Sequence, residues 1–238
     1  MKRYFACAAF SVVLAFPAPG LSAESQLQPV FSVNAQAESI PNLDNLITEL
    51  MQYHDCTCKC GCYARDLDTQ ADRALAYLRR RAAHRTAQEK LAVVFDIDET
   101  SLSNYQEMLH ASFAFDPKTF DAWVNSAAAP AIPGTLRIDK EAQRLGVAVF
   151  FITGRYEPER TATERNLRAQ GFTWRKLTLR PESTRIESVI AYKSGARAQI
   201  VAQGYKIVLN VGDQWSDLKG QPEAEFSVKY PNPYYLIP

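Results

Sequence analysis

Excess charge of either sign is missing from this chain: 27 lysines and arginines stand against 26 aspartates and glutamates. That balance leaves no basic footprint for a nucleic-acid polymer. Cysteine does not occur after position 62, so thiol chemistry is excluded from everything that follows. Beyond the first 23 residues no apolar run is long enough to span a bilayer. Internal repeats and long low-complexity tracts are absent too, which argues against a solenoid.

What is there begins with an export signal. Met1-Lys2-Arg3 is a basic start, Tyr4 to about Phe16 an apolar stretch, and Leu21-Ser22-Ala23 a small-residue end before Glu24. This is the pattern of a cleaved signal peptide over 1–23. Its apolar run is too short for a membrane anchor, and Pro17 and Pro19 interrupt its end. Cys7 lies inside the run rather than after it, which speaks against a lipoprotein cleavage site. The expectation is a periplasmic or secreted protein without a stable membrane anchor. Residues 24–41, rich in Gln, Ser, Pro and Ala, read as a mobile leader. The remainder is long enough for one sizeable core with an accessory piece.

Chemistry concentrates in four blocks. Asp96-Ile97-Asp98-Glu99-Thr100 follows Leu91-Ala92-Val93-Val94-Phe95, an apolar run that reads as a buried strand. Phe150-Phe151-Ile152 ends a second strand in Thr153-Gly154-Arg155. Lys193 stands near the start of a helical segment. Ile207-Val208-Leu209-Asn210-Val211 leads into Gly212-Asp213-Gln214-Trp215-Ser216-Asp217. In an open α/β sheet, ligands bind at the carboxyl ends of strands. Taken singly, each block has a plainer use: the acidic residues as helix caps, Thr153-Gly154 as a turn, Lys193 as a solvated surface residue. Together they supply what metal-assisted phosphoryl transfer needs. Asp96 can attack phosphorus as a nucleophile. Asp98 can protonate the leaving alkoxide and later deprotonate water. Oxygen ligands from Asp96 and Asp213 suit Mg²⁺. Thr153 can donate to a phosphate oxygen, and Lys193 is a fixed positive charge.

The blocks resemble the four motifs of the haloacid dehalogenase superfamily. Asp-Ile-Asp-Glu-Thr-Ser-Leu-Ser-Asn-Tyr (96–105), Phe-Ile-Thr-Gly-Arg (151–155), Ala-Tyr-Lys-Ser (191–194) and Gly-Asp-Gln-Trp-Ser-Asp-Leu (212–218) are similar to its acid phosphatases. That group takes in the class B and class C bacterial enzymes and the plant vegetative-storage-type proteins. The likeness runs from about Leu46 to Pro238 and includes Pro231-Asn232-Pro233-Tyr234-Tyr235. It implies an exported phosphomonoesterase with Asp96 as nucleophile and Asp98 as acid/base. Thr153, Gly154 and Lys193 would hold the phosphoryl group. Asp96, the Asp98 backbone carbonyl and Asp213 would ligate Mg²⁺, with Asp217 supporting the metal from behind. The implied substrate is a small phosphomonoester, with nucleoside monophosphates favoured. Tyr105 and Tyr192 can stack on a base or pack against the cap. Some plant relatives are chiefly storage proteins, so a non-catalytic binding or storage role is the rival. A further rival is a metal-binding module beside a dormant site.

That last rival rests on cysteines. Cys56, Cys58, Cys60 and Cys62 stand at alternate positions after His54-Asp55. In an exported chain their even number favours disulfides, with three pairings open. The other use is a thiolate site for zinc or Cu(I), with His54 assisting. Related phosphatases usually lack this run.

The expected fold is α/β: a Rossmann-like parallel sheet covered by helices on both faces. A small helical cap would come from the N-terminal helices and an insert at about 103–132. Helices are expected over Leu43–Tyr53 and Asp66–Lys90, in an N-terminal segment 42–90. The phosphatase core, 91–238, would place helices over about Phe113–Ala129, Pro133–Leu145, Glu159–Gln170 and Ala191–Gln203. Strands are expected at 91–95, 147–152, 177–179, 206–211 and 226–229. Arg79-Arg80-Arg81 reads as a solvated face.

Overall fold

The computed structural model describes residues 42–56 and 62–237. Five strands form one sheet: β1 (Lys90–Phe95), β2 (Ala148–Tyr156), β3 (Lys176–Arg180), β4 (Tyr205–Gly212) and β5 (Phe226–Lys229). All pairings are parallel, in the order β3-β2-β1-β4-β5. The first strand is therefore central. The chain lays β2 and β3 on one side of it, then crosses to lay β4 and β5 on the other. Such a reversal opens a crevice at the carboxyl ends of the strands beside it.

The described helices are α1 (Leu43–Asp55), α2 (Tyr63–Ala83), α3 (Tyr105–His110), α4 (Pro117–Ser126), α5 (Pro133–Arg144), α6 (Arg160–Ala169), α7 (Val189–Ala202) and α8 (Trp215–Leu218). Strand alternation divides the core. Leu91, Val93 and Phe95 join Leu67, Leu75 and Leu78 of α2 and Ile138 and Ala142 of α5. Ala92 and Val94 join Ala196 and Ile200 of α7. β1 is thus covered on both faces, which explains its unbroken apolar run.

The observed elements depart from the sequence expectation in three places. α2 stops at Ala83 rather than Lys90. Glu89 closes a turn there: its N–H donates to the Thr86 carbonyl (3.2 Å) while its carboxylate accepts from the Thr86 N–H (3.1 Å). Arg81 is only partly solvated; it pairs with Glu89 and Glu225 at 2.7 Å each and ties the helix end to the entrance of β5. The insert is two short helices, not one. Ser112 and Phe113 adopt left-handed φ values of 51° and 58°, which ends the first. Asp116 then caps the second, accepting from the Lys118 N–H (3.1 Å) ahead of Pro117. Finally, β2 runs on to Tyr156, so Thr153 lies within the strand. Pairing with β3 is irregular between Ile152 and Tyr156.

The N-terminal helices and the insert meet in an aromatic cluster. The His54 ring at the end of α1 stacks on Tyr105 of α3 with centroids 3.3 Å apart. Tyr63 of α2 and Tyr234 pack against each other beside them. No helix among the described residues is long and apolar enough to cross a membrane. The expected signal peptide and leader lie outside the described residues, as do Cys58 and Cys60. Cys56 immediately follows α1, and Cys62 immediately precedes α2.

Candidate active site

The expected residues converge at the carboxyl edge of the sheet. Asp96 and Asp98 follow β1, Thr153 lies late in β2, Lys193 sits on the second turn of α7, and Asp213 and Asp217 follow β4. Asp96, Thr153, Lys193, Asp213 and Asp217 are all buried. Lys193 Nζ stands 2.6 Å from Asp96 Oδ1 and 2.5 Å from Asp217 Oδ1. Asp96, Asp213 and Asp217 each offer an oxygen within 4.8 Å of the others.

One ammonium among three buried carboxylates leaves negative charge uncompensated. Asp213 is where it falls. Its partners are neutral: Thr100 Oγ1 (3.0 Å), Gln214 Nε2 (2.7 Å) and Asn232 Nδ2 (2.7 Å). Burial, and then the charge of Asp217, push its carboxyl up to about 6. Burial likewise pushes Asp96 well above the usual carboxylate range. Lys193 opposes that rise, and Asp217, Asp213 and Asp98 add to it. Burial disfavours the Lys193 ammonium, but Asp217 and Asp96 outweigh it and raise the group above its ordinary value. A buried, oxygen-only donor set with surplus negative charge fits a hard divalent cation.

Asp98 belongs to a different environment. Its carboxylate turns to Arg155, accepting from Nη2 at 2.7 Å and Nε at 3.1 Å, and to Asn104 Nδ2 at 2.8 Å. Burial acts upward, yet Arg155 wins and holds the group below its ordinary value. Two carboxylates two residues apart are thereby pushed in opposite directions, Asp96 upward by burial and Asp98 downward by Arg155. The carboxylate cluster accordingly groups Asp217 with Asp96 and Asp213 and leaves the Asp98 side chain out. Both Asp217 oxygens are engaged, one by Lys193 and one by the Gln214 N–H (2.8 Å). Thr153 Oγ1 accepts from the Arg155 N–H at 3.1 Å. A Cβ placed on Gly154 would meet nothing within 4 Å.

Several partners had no assigned role in the sequence. Arg155 stood in the Thr-Gly-Arg block and Asn104 in the first block, where a charge and an amide near Asp98 were the available signals. Trp123 of α4 donates through Nε1 to Asn104 Oδ1 (2.8 Å) and so links the insert to Asp98. Glu99 holds a left-handed φ of 52°. Its carboxylate accepts from the Asn104 N–H and the Tyr235 hydroxyl, both at 2.6 Å. Burial, with Asp98 nearby, pushes it up to about 8.

Residues 20–238 match the family described as HAD superfamily, subfamily IIIB (acid phosphatase). The chain belongs to this family. Among relatives of the subfamily IIIB chain, it is 43% identical to acid phosphatase 1 of Solanum lycopersicum, over 60% of this chain and 58% of that protein. It is 38% identical to a stem 28 kDa glycoprotein of Glycine max, over 74% of this chain and 70% of the relative. The match thus spans less than two thirds of the tomato protein. Among solved structures, a class C acid phosphatase from Bacillus anthracis aligns with a TM-score of 0.65 and 25% identity. That alignment covers 82% of this chain and 86% of the other. The α/β fold is shared between the two.

Proposed function

We propose that this subfamily IIIB chain is an exported, Mg²⁺-dependent acid phosphatase that hydrolyses small phosphomonoesters, nucleoside monophosphates among them. The observation that carries the reading is the buried Asp96–Lys193–Asp217 bridge beside Asp213, which lacks a cation partner among the described residues. Asp96 attacks phosphorus, and the bond to the leaving oxygen breaks as the aspartyl-phosphate forms. Asp98, which takes up a proton from solvent as the phosphate binds, gives that proton to the leaving oxygen. Arg155 keeps Asp98 ionised without substrate, and the approaching negative charge of the phosphate raises its proton affinity. Asp98 then takes a proton from water, which attacks phosphorus and frees Asp96. Thr153, with the Gly154 backbone, and Lys193 hold the phosphoryl oxygens. Asp96, the Asp98 backbone carbonyl and Asp213 would hold the Mg²⁺, with Asp217 behind them; when bound, the metal supplies charge neutralisation at the phosphoryl group. The presence of Asp96 favours catalysis over a storage role, since a non-catalytic protein has no need of the nucleophile.

The test is Asp96→Asn on purified protein. Phosphate release should fall by on the order of 10³-fold or more while the circular dichroism spectrum stays unchanged. Chelation should abolish wild-type activity and Mg²⁺ should restore it. Near-wild-type turnover by the variant, or full activity of metal-free protein, would sink the assignment.

A further inference from the structure

Two side-chain amides tie the C-terminal segment to the site, Asn232 of the segment itself and Gln214 beside Asp213. Asn232 Nδ2 donates to Asp213 Oδ2 at 2.7 Å, while Asn232 Oδ1 accepts from the Tyr234 N–H (2.9 Å) and the Tyr235 N–H (3.4 Å). Gln214 repeats the arrangement: Nε2 donates to the same Asp213 oxygen at 2.7 Å, and Oε1 accepts from the Ile237 N–H at 3.0 Å. Reversing either amide would turn its carbonyl oxygen against a carboxylate and its NH₂ against backbone N–H groups. The network therefore permits one orientation of each. The same segment is pinned at its other side, where the Tyr235 hydroxyl donates to Glu99 (2.6 Å) and the Tyr235 carbonyl accepts from Gln214 Nε2 (3.3 Å). Asp213 needs such holding. Asp96 and Asp217 are fixed by Lys193, whereas only neutral groups orient Asp213 among the described residues.

We propose that Asn232 is a positioning residue: it couples the order of the C-terminal segment to the orientation of Asp213 and so sets the affinity for the divalent cation. The inference rests on Asp213 being a metal ligand, as proposed above. A carboxylate ligand binds well when donors outside the metal shell fix its plane, and loss of such a donor typically weakens metal binding by about 10–100-fold.

The experiment is calorimetric titration of Mg²⁺ into the metal-stripped full chain, for wild type, Asn232→Ala, Asn232→Ser and Asp213→Ala. Serine keeps a short acceptor for the Tyr234 N–H, so the turn can persist, but its hydroxyl is too short to reach Asp213. It stands in if the alanine variant fails to fold. Both Asn232 variants should bind Mg²⁺ more weakly by about tenfold or more. Their thermal midpoint without metal should stay near wild type, and excess Mg²⁺ should restore most of kcat. A purely structural role would lower the midpoint without moving the metal affinity. If either folded Asn232 variant binds Mg²⁺ within about twofold of wild type, and Asp213→Ala has lost binding, this inference alone fails. If Asp213→Ala binds like wild type, the metal assignment falls and takes the inference with it.

Discussion

Asp139 on α5 is a buried carboxyl that the proposed chemistry does not use. Its side chain is fully enclosed, neither oxygen receives a hydrogen bond, and Lys140 Nζ stands 4.0 Å away. Burial outweighs its neighbours and pushes it up to about 6. A carboxyl raised on folding binds more protons in the native state than in the unfolded chain across roughly pH 4–6. Stability therefore falls as pH rises through that window and stays lower above it. Asp139→Asn removes the charge while keeping shape. The rise from the ordinary carboxylate value to about 6 sets a ceiling of about 3 kcal/mol, so a gain of about 1–2 kcal/mol at pH 7.5 is expected, or roughly 2–8 °C in Tm for a domain of this size. The gain should shrink towards zero near pH 4. Thermal unfolding of both proteins from pH 4 to 8 checks this; an equal gain at both ends would show that charge burial is not the cause.

Elements carry the site by how closely they approach one another. Gly212 ends β4, and a Cβ there would overlap the Asp217 side chain. Overpacking of this kind costs about 1–3 kcal/mol. Gly212→Ala should lower urea stability by that amount and displace Asp217 from Lys193, so phosphate release should fall by more than stability alone explains when assayed on folded protein. A variant with wild-type stability and turnover would show that Asp217 yields freely. The elements themselves were largely legible in sequence, because β1 and β4 contribute to the core on both faces and so carry the apolar runs Leu91–Phe95 and Ile207–Leu209. The split of the insert into α3 and α4 was not, since left-handed turns at Ser112 and Phe113 depend on how the chain passes over the site. Asp-Pro at 116–117 was the signal available there. At the site, residue types at strand ends and near the start of α7 singled out Asp96, Thr153, Lys193 and Asp213, which the fold brings to one edge of the sheet. Their partners were hidden by sequence distance: Arg155 is 57 residues from Asp98, and Tyr235 is 136 from Glu99. Such pairings exist only once the sheet order is set.

Across the whole molecule, the cysteine run is the feature that the catalytic reading leaves over. It joins α1 to α2, and α1 delivers His54 to Tyr105 and Asp55 to the Tyr105 hydroxyl (3.2 Å). Tyr105 begins α3, directly after Asn104, which holds Asp98. Cys56 follows α1 and Cys62 precedes α2, so we propose that the cysteines restrain α1 rather than enter the chemistry. Soft thiols are also poor company for a hard cation and a phosphate, which take oxygen ligands. In an exported chain, oxidation would close short loops within 56–62 and restrain the unfolded chain modestly. Replacing all four cysteines with serine should lower Tm by roughly 2–8 °C, corresponding to about 1–2 kcal/mol, and leave kcat of the folded enzyme within a few-fold. Mass spectrometry of the unreduced protein should find no alkylatable thiol in this peptide. Four free thiols with stoichiometric zinc or copper would replace the disulfide assignment with a soft-metal site. Loss of turnover in a folded quadruple variant would show instead that α1 is needed to hold Tyr105, and through Asn104 the proposed acid Asp98, in working position.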